Sequence, residues 1–167
     1  FKKIMFKISG NSIPLPVKFP LTKEFLIIAG LWIADGCYDK NSVIISCPDP
    51  EAKKVIERFS KRLNLSVKKH SDGFSFMINS KNLKIVMKEF FKLDGDAYSK
   101  RIPSWVFNLS NKQISYVMKG LFSGDGCVSD KEIVISLASR GLLRDIQFLL
   151  LIFGIILRIG KLGKDKT

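Results

Sequence analysis

The sequence repeats itself at an offset of 90 positions. Gly30-Leu31 falls on Gly120-Leu121, Asp35-Gly36-Cys37 on Asp125-Gly126-Cys127, and, without a gap, Val43-Ile44-Ile45-Ser46 on Ile133-Val134-Ile135-Ser136. The register still holds where Ile56 meets Ile146 and Leu63-Asn64-Leu65 meets Phe153-Gly154-Ile155. Chance supplies a single Asp-Gly pair easily, but not a register kept over so long a stretch. Duplication limits the fold sharply: both copies must form the same elements, and two copies in one chain can pack about a pseudo-twofold axis.

In the first copy, Thr22 caps a helix running to about Ala34, and Asp35-Gly36 ends it and opens a turn into a strand at Val43 to Ser46. Asp49-Pro50 starts a second helix, with Ala52, Val55, Ile56, Phe59 and Leu63 on one face. Lys53, Lys54, Arg58, Lys61 and Arg62 fall mainly elsewhere and read as a solvated surface. A hairpin of Val67 to His70 and Phe74 to Ile78 turns at Asp72-Gly73, and Ser80 caps a third helix through Leu93. The order is helix, strands, helix, strands, helix, an α+β fold. Ser110-x-x-Gln113 forms a capping-box pattern ahead of the second copy's first helix.

These signals divide the chain into a basic N-terminal arm (1–20), a first half (21–93), a linker (94–108) holding Gly95 and Pro103, and a second half (109–167). The arm carries Lys2, Lys3, Lys7 and Lys18, no acids, and Pro14, Pro16 and Pro20, and is expected to be extended. Equivalents of Phe74 to Leu93 would fall at about 164–183, so the second half is expected to be incomplete at its C-terminus, and Phe1 suggests a start further upstream.

A chain of 167 residues can bury a core without disulfides. Cys37, Cys47 and Cys127 form no C-x-x-C pair, which argues against a zinc finger and fits a reducing, intracellular setting. No signal peptide is visible, and Ile146 to Leu157 is too short to span a bilayer, so no membrane partner is expected. The net charge of +13 is the first functional sign, because such a field attracts polyanions, nucleic acid above all. The many Phe residues lie in periodic segments and read as core.

Both repeated helices hold a glycine in their interior, at a cost of about 1 kcal/mol each relative to alanine. The spacing offers compensation. Gly30-x-x-x-Ala34 and Gly120-x-x-x-Gly124 set small residues one turn apart on one face, so that two backbones can approach closely. Helices packed on those faces bring Asp35 and Asp125 side by side at their C-terminal ends. Paired carboxylates at partially negative helix ends repel, and a hard divalent cation relieves the repulsion. The plainer reading, Asp-Gly as a helix stop, suits one copy better than two in register.

Ile28-Ala29-Gly30-Leu31-Trp32-Ile33-Ala34-Asp35-Gly36 and Met118-Lys119-Gly120-Leu121-Phe122-Ser123-Gly124-Asp125-Gly126 resemble the two LAGLIDADG (dodecapeptide) motifs of single-chain homing endonucleases. The resemblance covers about residues 21 to 160, with Lys119 an unusual occupant of the second motif. It implies two αββαββα halves forming a saddle over duplex DNA. It also implies metal-dependent phosphodiester hydrolysis with Mg²⁺ or Mn²⁺ held by Asp35, Asp125 and the Ala34 and Gly124 positions. Phe76-Met77-Ile78-Asn79-Ser80-Lys81 resembles the junction that carries a basic residue near the metal, which nominates Lys81 as a third catalytic residue. The family often has a polar residue just after the first strand, where this chain has Cys47 and Leu137.

Lys40 and Asn41 in the loop before the first long strand, Lys68, Lys69 and His70 on the hairpin, and Lys131 are the candidate DNA contacts, against the plainer reading of a solvated strand face. The expected partner is double-stranded DNA with a long, asymmetric target site, bound by a monomer whose two unlike halves read unlike half-sites. Alternatives on the same scaffold are an RNA maturase, a non-catalytic DNA-binding protein, or the endonuclease domain of an intein. The residues show neither a nucleophilic Cys or Ser start nor a His-Asn end that would support splicing.

Overall fold

The computed structural model describes residues 5–7, 13–46, 49–128, 130 and 132–160. Two helices form its centre. Helix α1 (Lys23–Asp35) is capped by Thr22, whose hydroxyl oxygen accepts the Phe25 amide at 3.2 Å, and is buried continuously from Phe25 to Ile33. A helix apolar on every side has to be enclosed on every side. Helix α4 (Asn111–Asp125) covers one of its faces and starts with the capping box expected at Ser110 and Gln113.

Around α1, strands β3 (Gly36–Tyr38), β4 (Ser42–Ser46), β5 (Val67–Lys69) and β6 (Ser75–Asn79) form an antiparallel sheet of order β3-β4-β6-β5. Helix α2 (Pro50–Arg62) has Asp49 as N-cap and presses Ala52, Val55, Ile56 and Phe59 inward. Its basic residues are solvated and locally paired, Lys54 with Glu51 at 2.6 Å and Arg62 with Glu24 at 3.0 Å. Helix α3 (Lys81–Ile85), capped by Ser80, continues as a π-wound turn over Val86–Phe90. In the second half, β7 (Gly126–Val128) pairs with β8 (Ile133–Ile135), and helix α5 (Arg140–Ile152) follows. The registers Gly36↔Ile45 and Gly126↔Ile135 preserve the 90-residue offset of the sequence repeat.

Three expectations need correction. Asp-Gly does not open a turn: Gly36 (φ −109°) and Gly126 (φ −86°) are extended, and each helix passes directly into a strand, β3 or β7. Glycine is required there for space, since a Cβ at Gly36 would lie 2.5 Å from Trp32 Cδ1 and one at Gly126 3.0 Å from Phe122 Cδ1. Nor is the N-terminal segment merely an extended arm. β1 (Met5–Phe6) pairs with β2 (Leu15–Pro16), Leu15 is buried, and the Asn82 side chain donates to the Ile13 carbonyl at 2.8 Å.

The third correction concerns the linker 94–108, whose later part, from Lys100 to Phe107, packs into the core while 94–99 stay exposed. Ile102 and Val106 are buried, and Trp105 Nε1 donates to the Phe91 carbonyl at 2.7 Å. Trp105 also joins Phe19, Phe25, Phe59 and Phe91 in one aromatic cluster, as expected for aromatics that serve packing. Arg101 makes two 2.7 Å bonds to Asp145 and so ties this segment to α5. Helix α5 buries Leu142, Ile146, Leu149 and Leu150 but leaves Phe148 and Leu151 exposed. No helix among the described residues is long and apolar enough to cross a membrane.

Candidate active site at the paired helix ends

The glycine positions fix how α1 and α4 meet. A Cβ on Gly30 would overlap the Val117 carbonyl oxygen and lie 3.0 Å from Gly120 Cα, and one on Gly120 would overlap the Ile27 carbonyl oxygen. The two backbones therefore touch, as the small-residue spacing of Gly30, Ala34, Gly120 and Gly124 predicts. Contact continues into the last turn, where a Cβ on Gly124 would lie 2.5 Å from Ala34 Cβ. Asp35 and Asp125 are the next residues along each helix, so close packing delivers both to one place.

Their electrostatics agree with that placement. The Asp125 carboxyl is pushed up from its ordinary value, first by burial and then by the charge of Asp35, while Lys100 pulls it down. Asp35 itself is exposed. Two carboxylates beside backbone carbonyls at helix ends form a hard oxygen donor set that fits Mg²⁺ or Mn²⁺, completed by water and phosphate oxygens. Among the described residues no group of three or more His, Cys, Asp or Glu stands where it could hold a metal ion. The Ala34 carbonyl, expected as a ligand, also lies 3.4 Å from the Lys100 ammonium.

Lys100 is the residue the sequence reading passed over. It is 5% exposed, and its Nζ donates to the carbonyls of Trp32 (2.9 Å) and Gly36 (2.8 Å) as well as Ala34. It thus caps the open C-terminus of α1, where a cation is favoured by the helix dipole. The ammonium also stands 4.7 Å from the Trp32 ring centre. Burial pushes its pKa down, and Asp35 and Asp125 oppose that shift. Asp96 builds the turn that carries it, accepting the Tyr98 and Ser99 amides, and Ser139 holds the Lys100 carbonyl at 2.9 Å. One lysine therefore caps the first motif helix and acts electrostatically on both aspartates. Lys100→Met should cost about 2–4 kcal/mol, read by urea denaturation, because it strands buried carbonyls.

Lys81, nominated for this basic role, is exposed in the first turn of α3, and the cation acting on Asp125 is Lys100. Lys40 and Asn41 are exposed at the β3–β4 turn, which Lys84 pins by donating to the Asp39 carbonyl at 2.8 Å and the Lys40 carbonyl at 3.3 Å. Strand alternation separates the two hairpin lysines. Val67 lies opposite buried Ile78, so Lys69 shares the core-facing side at its rim, and Lys68, opposite Met77, is on the outer face. His70 pairs with Asp72 at 3.2 Å in the hairpin turn. Lys131 and Cys47 lie outside the described residues.

Comparison with known proteins agrees with this architecture. A model of the LAGLIDADG-like domain matches residues 112–167. No curated protein matches. Among solved structures, I-DmoI in complex with DNA and Mn superposes with a TM-score of 0.59 at 15% identity, covering 82% of this chain and 81% of that one. An I-DmoI variant bound to its target DNA in the presence of Mg gives 0.59 at 15% identity, with coverage of 81% and 80%. The N-terminal LAGLIDADG domain of DUF199/WhiA gives 0.56 at 16% identity, with coverage of 88% and 74%. With two motif helices joined at their small residues in one polypeptide, this chain has the fold of the single-chain, two-motif LAGLIDADG structures, and its residues 112–167 are similar to the LAGLIDADG-like domain.

Proposed function

We propose that this protein is a site-specific endonuclease that hydrolyses double-stranded DNA at a long, asymmetric site, working as a monomer with Mg²⁺ or Mn²⁺. The observation that carries the reading is the delivery of Asp35 and Asp125 to one point by two helices in backbone contact. I-DmoI, whose fold this chain shares, has been solved with DNA and divalent metals, which supports the same substrate class here. The net charge of +13 supports a polyanionic partner.

In this reading Asp35 and Asp125 hold the cation, with the Ala34 and Gly124 carbonyls beside them. The metal supplies Lewis-acid chemistry: activation of a water for attack on phosphorus and neutralisation of the charge that develops there. Lys100 holds the end of α1 and sets the local positive field. Its ammonium is already engaged with three carbonyls, which suits fixed electrostatic stabilisation better than proton transfer. Lys81 remains the alternative for a basic group that reaches water or phosphate. The exposed turn at Lys40 and Asn41 and the outer face at Lys68 would meet the duplex, and the non-identical second half would read a different half-site.

The test is incubation of a randomised duplex library with the protein and Mg²⁺, followed by sequencing of the ends. Enrichment of one asymmetric site, with cutting lost in EDTA, is the expected result. The fold likeness to the WhiA domain motivates a second reading, a DNA-binding protein that does not cut. Selective retention of duplexes without Mg²⁺-dependent cutting would decide for it.

A further inference from the structure

The outer face of the first sheet is organised in rows, and the middle row is apolar. Register aligns Cys37 of β3 with Ile44 of β4, Ile44 with Met77 of β6, and Met77 with Lys68 of β5. Their neighbours along the strands, Val43, Ile45, Phe76 and Ile78, are buried against the helices, so this row faces away from the core. One polar row, Ser42 with Asn79 (2.9 Å), lies on one side of it. A second, Ser46 with Ser75 (2.8 Å), lies on the other. The second half repeats the start of the apolar row in the same register, with exposed Cys127 opposite Val134, itself 42% exposed. In both halves the row begins two residues after the active-site aspartate.

We propose that these rows, Cys37-Ile44-Met77 and Cys127-Val134, are specificity elements that recognise the C5 methyl group of thymine in the major groove beside the cleavage centre. The inference rests on the DNA-cutting reading and deepens it. Ile44, Met77 and Val134 offer no strong donor or acceptor, so they cannot read the polar pattern of base edges. Among the features of the major groove, the thymine methyl is the one an aliphatic side chain recognises. Geometry agrees. With strands about 4.8 Å apart, the row from Cys37 to Lys68 spans about 14 Å, close to the roughly 12 Å width of the groove. Its apolar middle then lies over base edges while Lys68, at the sheet's edge, reaches a phosphate wall. Rows along a strand repeat every 6.6–6.8 Å or so, about two base-pair steps, so polar and apolar rows meet different base pairs. A fully buried apolar face would serve the fold alone, but here Cys37 is exposed and Ile44 and Met77 are only half-buried, and the positive field of the chain favours DNA as the occupant.

The test uses the full chain and the duplex selected from the library, with binding measured in Ca²⁺. Each thymine is replaced singly by 2′-deoxyuridine, which keeps base pairing and removes only the methyl group. The expected result is about fourfold weaker binding for at least one thymine near the cleavage centre in each half-site. Ile44→Ser should abolish the thymine–uracil difference in one half-site and Val134→Ser in the other, with unfolding curves confirming that each variant is folded. Equal binding of every uracil-substituted duplex, or a difference that survives both substitutions, would overturn the proposal while leaving DNA recognition intact. If no duplex of any sequence is bound, the DNA-cutting reading itself falls.

Discussion

Replacing Asp125 with asparagine should raise the melting temperature of the metal-free protein at neutral pH while abolishing Mg²⁺-dependent DNA cutting. The two effects have one cause. Burial and the charge of Asp35 raise the folded-state pKa of Asp125 above its ordinary value. A group with a raised folded pKa contributes stability that is fully present below its unfolded pKa and is lost as the pH rises through the folded value. At neutral pH the folded protein therefore carries a carboxylate it holds less well than the unfolded chain does. Asparagine removes that cost. Because Asp125 is only half-buried and screened by solvent, the rise in melting temperature is small. The gap between wild type and Asp125→Asn should close as the pH falls below the ordinary carboxyl range, where both side chains are neutral. Lost charge stabilisation worth several kcal/mol should reduce cutting by about 10³-fold or more. A variant that melts lower than wild type at neutral pH and still cuts would contradict both parts.

The larger structural effect is expected at the helix contact. In an ordinary helix interior Gly→Ala stabilises by about 1 kcal/mol. At Gly30 and Gly120 the sign should reverse, because the added Cβ meets backbone carbonyl oxygens of the opposing helix that cannot rotate away. Gly120→Ala should destabilise by roughly 2–4 kcal/mol, and Gly120→Val should leave little folded protein, since domains of this kind have a margin of about 5–15 kcal/mol. Gly160→Ala is the control: a Cβ there meets nothing within 4 Å, and its melting temperature should match wild type. Thermal unfolding followed by circular dichroism separates these outcomes. Stabilisation by Gly120→Ala would show that the helices are not in backbone contact.

Much of this molecule is written locally. Caps at Thr22, Asp49, Ser80 and Ser110 follow from hydroxyl or carboxylate side chains placed to accept helix amides, and the structure uses all four. The small-residue spacing in the two motif helices likewise foretold the contact that juxtaposes Asp35 and Asp125. Lys100 was not legible in this way. Nothing in its neighbours distinguishes it from other lysines, and its burial arises only when α1, its Asp96 turn and Ser139 converge on it. Gly36 shows a different limit. Asp-Gly is an ordinary turn signal, but here the glycine clears the Trp32 ring as the chain enters a strand, which depends on where that ring packs. The opposite faces of Lys68 and Lys69, in contrast, were available from strand alternation alone once the register was known.

The central claim is that Asp35 and Asp125 bind metal together. Titration of Mn²⁺ into the protein bound to its selected duplex, followed by electron paramagnetic resonance, measures this directly. The account predicts that D35N and D125N each bind less Mn²⁺ than wild type and that the double variant retains none at the site. Full wild-type stoichiometry and affinity in either single variant would contradict it.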